Sequence, residues 1–390
     1  MSMDDKEVAE DYRRQRQAAS ARITGYKART PAEQLEWIDE NKETLLKLMR
    51  GAEPPKPDDE DHLEAYRQAI KSASAGSEFD DVNLRATLDR LMGEIEDACL
   101  EHGVSTHAGV AYGNDAALDL GIGQLPVLET EASIIDVSVH FLSFINQISR
   151  LLGRTVPHDR VGEDHVLIVR DINLARKMLE RDIDLAHDWS EALTSFAVTG
   201  VQAQSPTVPL NDPQNVIRTL LLRAIEVFAL GHEYGHHSMK HGRVTTSDES
   251  ATDPFQDEFD ADLFGRNCCI VICSKEDEEN FYAVSGAGAV VILGALDLIR
   301  RVRAVLETGR DEPPPRSHHP PYPERVSNLA KVDGNLHADN RQQAADYRQF
   351  FFDLIEVVWE RIKPIIIDYR ASGIRPKPDT DEATGWLPSR

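Results

Sequence analysis

One long segment, residues 213–242, constrains the fold of this chain more than any other feature. Asp212 can cap the N-terminus of a helix, and Pro213 can occupy its first turn. The sequence then continues to Gly242 without a breaker other than Gly231 and Gly235. Its apolar residues are numerous enough to bury a helix on most sides. We therefore expect one long, buried helix around which the rest of the chain packs.

The last turns of this predicted helix carry the motif H-E-x-x-H, formed by His232, Glu233 and His236. Residues four positions apart lie one turn apart on the same face, so both imidazoles can reach one metal ion. Zinc binds imidazole nitrogens at about 2.0–2.1 Å and keeps an open position in catalytic sites. Glu233 can take a proton from water bound by such a metal. The motif predicts a zinc site with two histidine ligands and Glu233 as general base.

The alternative is a helix end that is rich in histidine but binds no metal and catalyses nothing. Positively charged histidines in the last turn of a helix interact favourably with the helix dipole. Gly231 and Gly235 argue against it, since each glycine costs a helix about 1 kcal/mol relative to alanine. They indicate that another segment or a substrate approaches closely. His237 lies off the metal face and His241 lies five residues beyond His236, so neither is predicted to be a ligand. For His241 we expect a place at the helix C-terminus, with a structural hydrogen bond near the cleft as the lesser alternative.

A third ligand is expected downstream, in the segment D-E-F-D-A-D at residues 257–262. Glu258 and Asp262 are four apart and share a face of a predicted helix. Glu258 would complete a set of two histidines and one carboxylate, with water as the fourth ligand. Asp262 is placed to accept the N–H of a ligating histidine and fix its tautomer. A solvated acidic helix start is the alternative, which the phenylalanines of the same segment disfavour.

These two motifs, together with S-H-H-P-P-Y-P-E-R-V at residues 317–326, resemble the gluzincin zinc metallopeptidases. Within them the chain is most similar to the HtpX-like and CAAX-prenyl-protease-like group, where H-E-x-x-H, E-x-x-A-D and a later H-P-P loop follow in this order. The resemblance covers residues 232–326 with short flanks. It implies one Zn²⁺ per chain, with these roles: His232, His236 and Glu258 as metal ligands, Glu233 as general base, and Asp262 as the carboxylate behind a ligand.

The same resemblance implies roles for the late loop. His319 falls on the histidine of the His-Pro pair and would stabilise the oxyanion of a tetrahedral intermediate, with the adjacent His318 as the alternative. Arg325 matches the arginine after the loop. It would pair with a carboxylate near the site, or it would be a surface arginine of a helix.

The predicted function is hydrolysis of peptide bonds by a zinc-dependent metalloendopeptidase, with a protein or peptide as substrate. HtpX and the prenyl proteases are membrane proteins, whereas the most apolar window here, residues 283–296, is shorter than the roughly 20 residues that span a bilayer. We therefore expect no membrane insertion.

Two alternatives to this predicted function remain open. One is an intracellular regulatory or phage-defence protease, Lit-type or ImmA-like, that cleaves one specific protein. The other is a catalytically silent zincin-fold binding module, for which Glu233 would serve no purpose.

The composition of the chain argues against several classes of protein. The net charge of −24, from 67 acidic and 43 basic residues, argues against nucleic acid as a partner, because an acidic surface repels phosphates. The four cysteines are too few for a secreted disulfide scaffold. Cys269 and Cys273 would share a helical face, but their apolar surroundings favour core packing over metal binding. The N-terminus lacks the apolar region of a secretory signal. We expect a soluble, cytoplasmic protein.

The fold predicted from these patterns is mainly α, an α+β zincin-like arrangement. It has a long helix bearing H-E-x-x-H, a second helix bearing E-x-x-x-D, and a small sheet from residues 105–135 and 164–171. Residues 1–75 are predicted to be an N-terminal helical accessory region, in which Thr30 and Glu33 form a capping box and residues 52–61 a proline-rich linker. Residues 76–372 would form the metallopeptidase domain, and residues 373–390 a flexible tail.

Overall fold

The computed structural model describes residues 4–50, 59–74, 76–116, 120–161, 165–201, 208–243, 253–276, 279–316 and 319–377. The helices are α1 (Asp5–Thr24), α2 (Pro31–Glu40), α3 (Lys42–Arg50), α4 (Asp59–Ser72), α5 (Val82–Glu101), α6 (Phe141–Thr155), α7 (Ile172–Arg181), α8 (Ile183–Thr199), α9 (Asp212–Ser238), α10 (Pro254–Cys273), α11 (Phe281–Val284), α12 (Ala287–Thr308), α13 (Tyr322–Leu329) and α14 (Ala338–Ala371). A 3-10 helix, Ala330–Asn335, joins α13 to α14. The strands are β1 (Val110–Asp115), β2 (Ile122–Pro126), β3 (Ser133–Ser138), β4 (His158–Val161) and β5 (His165–Ile168). The prediction of a mainly helical chain with a small amount of sheet is confirmed.

The first three strands form one sheet in the order β1-β3-β2, in which β1 runs parallel and β2 antiparallel to β3. β2 is therefore an edge strand. One face of the sheet contributes Ile122, Ile135 and Val137 to the main apolar core. The other face packs on α1 through a small cluster that includes Ala9 and Ile134. The sheet thus lies between α1 and the main core.

The predicted sheet is wrong in one respect, because residues 164–171 do not join it. β5 pairs antiparallel with β4 and forms a separate two-stranded sheet. These two strands are close in sequence, so their pairing costs little loop-closure entropy. α6 lies between β3 and β4 in the chain and separates this hairpin from the larger sheet.

α9 lies in the middle of the helical core and packs against α6, α10 and α12. Its residues Ile217, Leu221, Ile225 and Phe228 are at most 1% exposed, which confirms the prediction of a buried helix. His232 and Glu233 near its C-terminal end are buried as well, and His236 is partly buried, so the H-E-x-x-H motif lies inside the protein.

The predicted bounds of α9 need correction at both ends. The N-terminal cap is Asn211 rather than Asp212, and Asn211 and Gln214 form a reciprocal capping box. The helix ends at Ser238 rather than near Gly242, because Lys240 adopts a left-handed conformation with a φ of 61°. The amide of His241 donates to the carbonyl of His236, and that of Lys240 to the carbonyl of residue 237. This is the Schellman pattern of helix termination, usually made with glycine.

The N-terminal helices make two kinds of contact. α1 is fixed to the segment before α5 by Arg13, whose guanidinium donates to both oxygens of the buried Asp80 at 2.9 and 2.7 Å, and to β1 by Gln17, whose side-chain amide donates to the carbonyl of Asn114 at 2.6 Å. α2 to α4 share a separate small apolar cluster, and the capping box of Thr30 and Glu33 is present. The domain boundary at residue 75 stays a prediction. Most of the proposed linker, and residues 378–390 of the proposed tail, lie outside the described residues.

Two late helices complete the core. α12 contains most of the apolar window of residues 283–296 and is buried along most of its length. α14 packs against α12 and continues through Pro364 without ending there. Among the described residues, no helix combines the length and the apolar character needed to cross a membrane.

Candidate metal centre

The two motif-bearing helices, α9 and α10, cross at glycines. A Cβ added at Gly235 would lie 2.8 Å from the Cβ of Phe264, and one added at Gly265 would lie 2.9 Å from the backbone nitrogen of His232. At Gly231 an added Cβ would meet Gly265 and Cys268 at 3.1 Å. Backbones can therefore approach more closely here than with any larger residue. The structure shows the close approach that the two glycines of α9 indicated, and the approaching segment is α10.

This crossing brings together the three predicted metal ligands. The Nε2 atoms of His232 and His236 lie 3.1 Å apart, and the carboxylate oxygens of Glu258 lie 3.6 Å from the first and 3.5 Å from the second. In a tetrahedral zinc site with ligand bonds of about 2.1 Å, ligand atoms lie about 3.4 Å from one another. Among the described residues this is the group of histidine, cysteine and acidic side chains that could hold a metal ion.

The outer nitrogen of His232 is held by Asp262. Its Nδ1 lies 3.0 Å from Oδ1 of Asp262, and because an ionised carboxylate only accepts, Nδ1–H donates. Nε2 then presents its lone pair to the ligand position. Arg325 donates to both oxygens of Asp262 at 2.8 and 2.6 Å, and is itself only 6% exposed. Burial tends to raise the pKa of Asp262, but Arg325 outweighs it and holds that pKa below its usual range.

The outer nitrogen of His236 has a different partner, which the sequence did not indicate. Nδ1 of His236 lies 2.9 Å from Nδ1 of His241, and Nε2 of His241 lies 3.6 Å from Oδ1 of Asp257. Burial and the neighbouring His236 lower the pKa of His241, which favours the neutral imidazole that can accept the Nδ1–H of His236. The expectation that His241 is not a ligand agrees with this geometry, and a hydrogen bond near the cleft is what the structure shows.

The carboxylate of Glu233 is also positioned by a residue that the motif could not reveal. The backbone N–H of Gln124 donates to Oε2 of Glu233 at 2.7 Å, and Glu233 is 3% exposed. The backbone of Gly121 bonds to Ser138 of β3, and that of Val127 bonds to Ala132 just before β3, so the alternation of the ladder turns the N–H of Gln124 outward from the edge of the sheet. The edge strand β2 thus reaches across to the polar end of α9.

His319 and Arg325 both lie close to the carboxylate of Glu258. Nδ1 of His319 lies 3.1 Å, and Nη2 of Arg325 lies 3.3 Å, from Oε2 of Glu258. Burial tends to raise the pKa of Glu258, but the neighbouring side chains of His319 and Arg325 outweigh it and hold that pKa well below its usual range. Glu258 is therefore an ionised, buried carboxylate and can act as a metal ligand. His318, the alternative to His319, lies outside the described residues.

His237 and the four cysteines lie away from this centre. His237 is completely buried and lies next to the hydroxyl of Ser133 and the carbonyl of Thr106, both at 2.9 Å. It ties α9 to the sheet, and burial lowers its pKa to about 4. The four cysteines are buried and form no disulfide, as expected for core packing.

The donor set fits zinc. It offers two imidazole nitrogens and one carboxylate, each with its outer atoms engaged by other side chains, and its three ligand atoms have the mutual spacing of a tetrahedral face. Three protein ligands leave a fourth position for water or substrate, which is the pattern of catalytic rather than structural zinc sites.

Residues 168–345 of the chain match the family described as Peptidase U49. This stretch runs from the end of β5 to the start of α14. It contains all the side chains of the candidate centre, whereas Gln124 on the sheet edge lies before it. No curated protein and no solved structure matches the chain. The match supports a peptidase, and it names neither a metal nor the gluzincins.

Proposed function

We propose that the protein is a zinc-dependent metalloendopeptidase of the gluzincin kind. The observation that carries the proposal is the convergence of His232, His236 and Glu258 beside the carboxylate of Glu233. The convergence falls within the stretch that matches a peptidase family. The order of the H-E-x-x-H, E-x-x-A-D and H-P-P blocks adds the resemblance to HtpX-like enzymes.

In this proposal His232, His236 and Glu258 hold the ion. Zinc bound there would polarise a peptide carbonyl and bring the pKa of water near about 7. Glu233 accepts the proton of the attacking water and returns it to the leaving amine. The N–H of Gln124 orients the carboxylate of Glu233 for both transfers.

The two basic side chains beside Glu258 have separate roles. His319 lies at the edge of the ligand group and donates a hydrogen bond to the oxyanion that forms from the substrate carbonyl. Arg325 keeps Asp262 ionised and fixed, and through Asp262 it sets the orientation of His232. Arg325 is thus a positioning residue and not one that touches the substrate carbonyl.

Metal content is the direct test of this function. Protein purified without chelator is expected to carry about one zinc per chain, because three ligands converge at one point. Elemental analysis of the purified protein measures this. Metal-free protein, or stoichiometric binding of another metal in place of zinc, would contradict the proposal.

Substitution of His241 tests whether its hydrogen bond to Nδ1 of His236 supports metal binding. Replacing it with alanine removes the acceptor for the Nδ1–H of His236, so we expect zinc affinity to fall by about 10–100-fold. The substitution His241→Asn keeps a polar acceptor and is expected to recover part of the loss. Competition with a zinc-binding dye measures both. His337→Ala is the matched control, since His337 is exposed and makes no side-chain cap bond. Unchanged affinity in His241→Ala would remove His241 from the metal centre.

A further inference from the structure

A chain of hydrogen bonds joins α9 to the edge strand β2 close to the proposed general base. The side-chain N–H of Gln124 donates to Oγ of Ser133 at 2.8 Å, and Oγ of Ser133 lies 2.9 Å from Nδ1 of His237. Nε2 of His237 lies 2.9 Å from the carbonyl oxygen of Thr106. Ser133 and His237 are both 0% exposed. The chain therefore runs through the interior, where water does not compete for its bonds.

The direction of each bond in this chain follows from the groups that form it. The carbonyl oxygen of Thr106 can only accept, so Nε2 of His237 carries a proton. Complete burial favours the neutral imidazole, whose Nδ1 then accepts from the hydroxyl of Ser133. The oxygen of that hydroxyl accepts from the side chain of Gln124. Each group thus provides the donor or acceptor that its neighbour requires, and the chain specifies one arrangement of β2, β3 and α9.

α9 holds Gln124 at two points. Glu233 and His237 are four residues apart and share a face of α9. Glu233 accepts from the backbone N–H of Gln124 at 2.7 Å, while His237 reaches the side chain of the same residue through Ser133. Gln124 stands opposite Ile135 of β3, so its side chain and that of Ser133, two residues before Ile135, lie on one face of the sheet. The side-chain link therefore holds the residue whose N–H contacts the carboxylate of Glu233.

The two ends of the chain differ in how firmly the rest of the protein holds them. The hydroxyl of Ser238 donates to the carbonyl of Ser105 at 2.9 Å, and Nε2 of His107 donates to the carbonyl of Ser238 at 2.9 Å. Thr106, between Ser105 and His107, is thus fixed against the last turn of α9. β2, in contrast, has β3 on one side and no further strand of the described residues on the other. The sheet alone therefore leaves the outer edge of β2 free to shift relative to α9.

We propose that His237 is a positioning residue of the catalytic site. Through Ser133 and the side chain of Gln124 it sets the position of β2 relative to α9, and so keeps the N–H of Gln124 on the carboxylate of Glu233. Both ring nitrogens of His237 are engaged within the protein, so it acts through Gln124 and not on the substrate. The effect on turnover rests on the proposed peptidase function, whereas the contact itself can be measured without turnover.

Hydrogen exchange at the backbone N–H of residue 124 tests the contact in the full-length, zinc-loaded protein. Ser133→Ala breaks the chain in its middle, and Gln124→Met removes the side-chain donor while the backbone N–H remains. Both should speed exchange by about 5-fold or more, since one hydrogen bond shifts an equilibrium by about that factor. In Glu233→Ala, which lacks the acceptor, adding Ser133→Ala should speed exchange no further. Mass spectrometry that resolves single amides measures these rates.

Another buried serine provides the matched control. Ser149 is also 0% exposed, and its hydroxyl donates to the carbonyl of Ile145 within α6. Ser149→Ala therefore removes a buried hydroxyl and its hydrogen bond without touching the chain that leads to Gln124. Exchange at residue 124 should stay as in the wild type.

Turnover shows whether the work of Glu233 depends on the chain. The substrate is a peptide from a digested proteome that the wild type cleaves and Glu233→Gln does not. Ser133→Ala and His237→Phe should lower kcat by about 5-fold or more and leave KM and zinc content within about 2-fold, because a displaced base slows the chemical step alone. His237→Gln keeps one donor and one acceptor and should recover part of the loss.

The outcomes separate this inference from the proposed function. Unchanged exchange at residue 124 and unchanged kcat in Ser133→Ala and Gln124→Met would overturn the positioning role and leave the peptidase intact. Equal losses in Ser149→Ala, or loss of zinc together with activity, would also overturn it, since either would show a general loss of stability. A wild type without zinc and without Glu233-dependent cleavage would contradict the proposed function, and the exchange rates would then decide the contact alone.

Discussion

Replacing Glu233 with glutamine is expected to abolish peptide hydrolysis while the protein keeps its zinc. The change is isosteric, and a glutamine oxygen can still accept the hydrogen bond from the N–H of Gln124, so the local structure should persist. What is lost is the ability to take a proton from water and return it to the leaving amine. General acid–base groups contribute typically 10²–10⁴-fold to rate, so we expect a loss of at least about 100-fold.

The measurement compares the new N-termini that each protein produces from the same peptide mixture, alongside the zinc content of each. Glu324→Gln is the matched control, because Glu324 is an exposed glutamate of α13 next to the buried Arg325. It should leave both cleavage and zinc unchanged. Full activity in Glu233→Gln would show that another group acts as the base. Joint loss of zinc and activity would assign Glu233 to metal retention instead.

Replacing Glu258 is expected to cause the largest loss of metal. Loss of a partner behind a ligand costs about 10–100-fold in metal affinity, so removal of a ligand itself should exceed about 100-fold. Glu258 also balances the charge of Arg325 inside the protein, and leaving that charge less well compensated is unfavourable. Glu258→Gln, which preserves volume, is therefore measured beside Glu258→Ala to separate loss of the ligand from loss of packing.

The same helix supplies the controls for this experiment. Asp260 accepts a hydrogen bond from Gln256 and makes no contact with the ligand group, so Asp260→Ala should change zinc affinity by no more than a few-fold. The zinc affinity of Asp262→Asn is expected to lie between those of Glu258→Ala and Asp260→Ala, since Asp262 acts on the metal through His232. Equal affinities for zinc in the Glu258 and Asp260 variants, in a dye competition assay, would mean that the third ligand is misassigned.

The candidate centre illustrates which contacts local spacing can reveal. His232 and His236, or Glu258 and Asp262, are related by a single helical turn, so their common face is fixed once a helix is recognised. Glycines at 231 and 235 indicated a close neighbour, and the crossing of α9 with α10 is that neighbour. The pairing of the two helices was inferred from chemistry, because a metal needs a third ligand, and not from any packing signal in the sequence.

His241 shows where the same reasoning fails. If α9 continued as a helix to Gly242, a residue five beyond His236 would point away from it. The left-handed conformation of Lys240 ends the helix instead and turns the chain back, which places His241 against His236. A Schellman ending is usually marked by glycine at this position, and here the position holds lysine. The sequence therefore carried no readable sign of the turn.

The sequence by itself determined the helical character of the chain, the buried long helix and the residue types of a candidate zinc site. These follow from periodicities and spacings of a few residues, which local backbone geometry converts directly into shared faces. Only the tertiary structure decided that β2 supplies the amide that holds Glu233 and that β5 leaves the sheet. Those features join segments as much as about 100 residues apart, and their contacts depend on how whole elements pack, for which no short pattern exists.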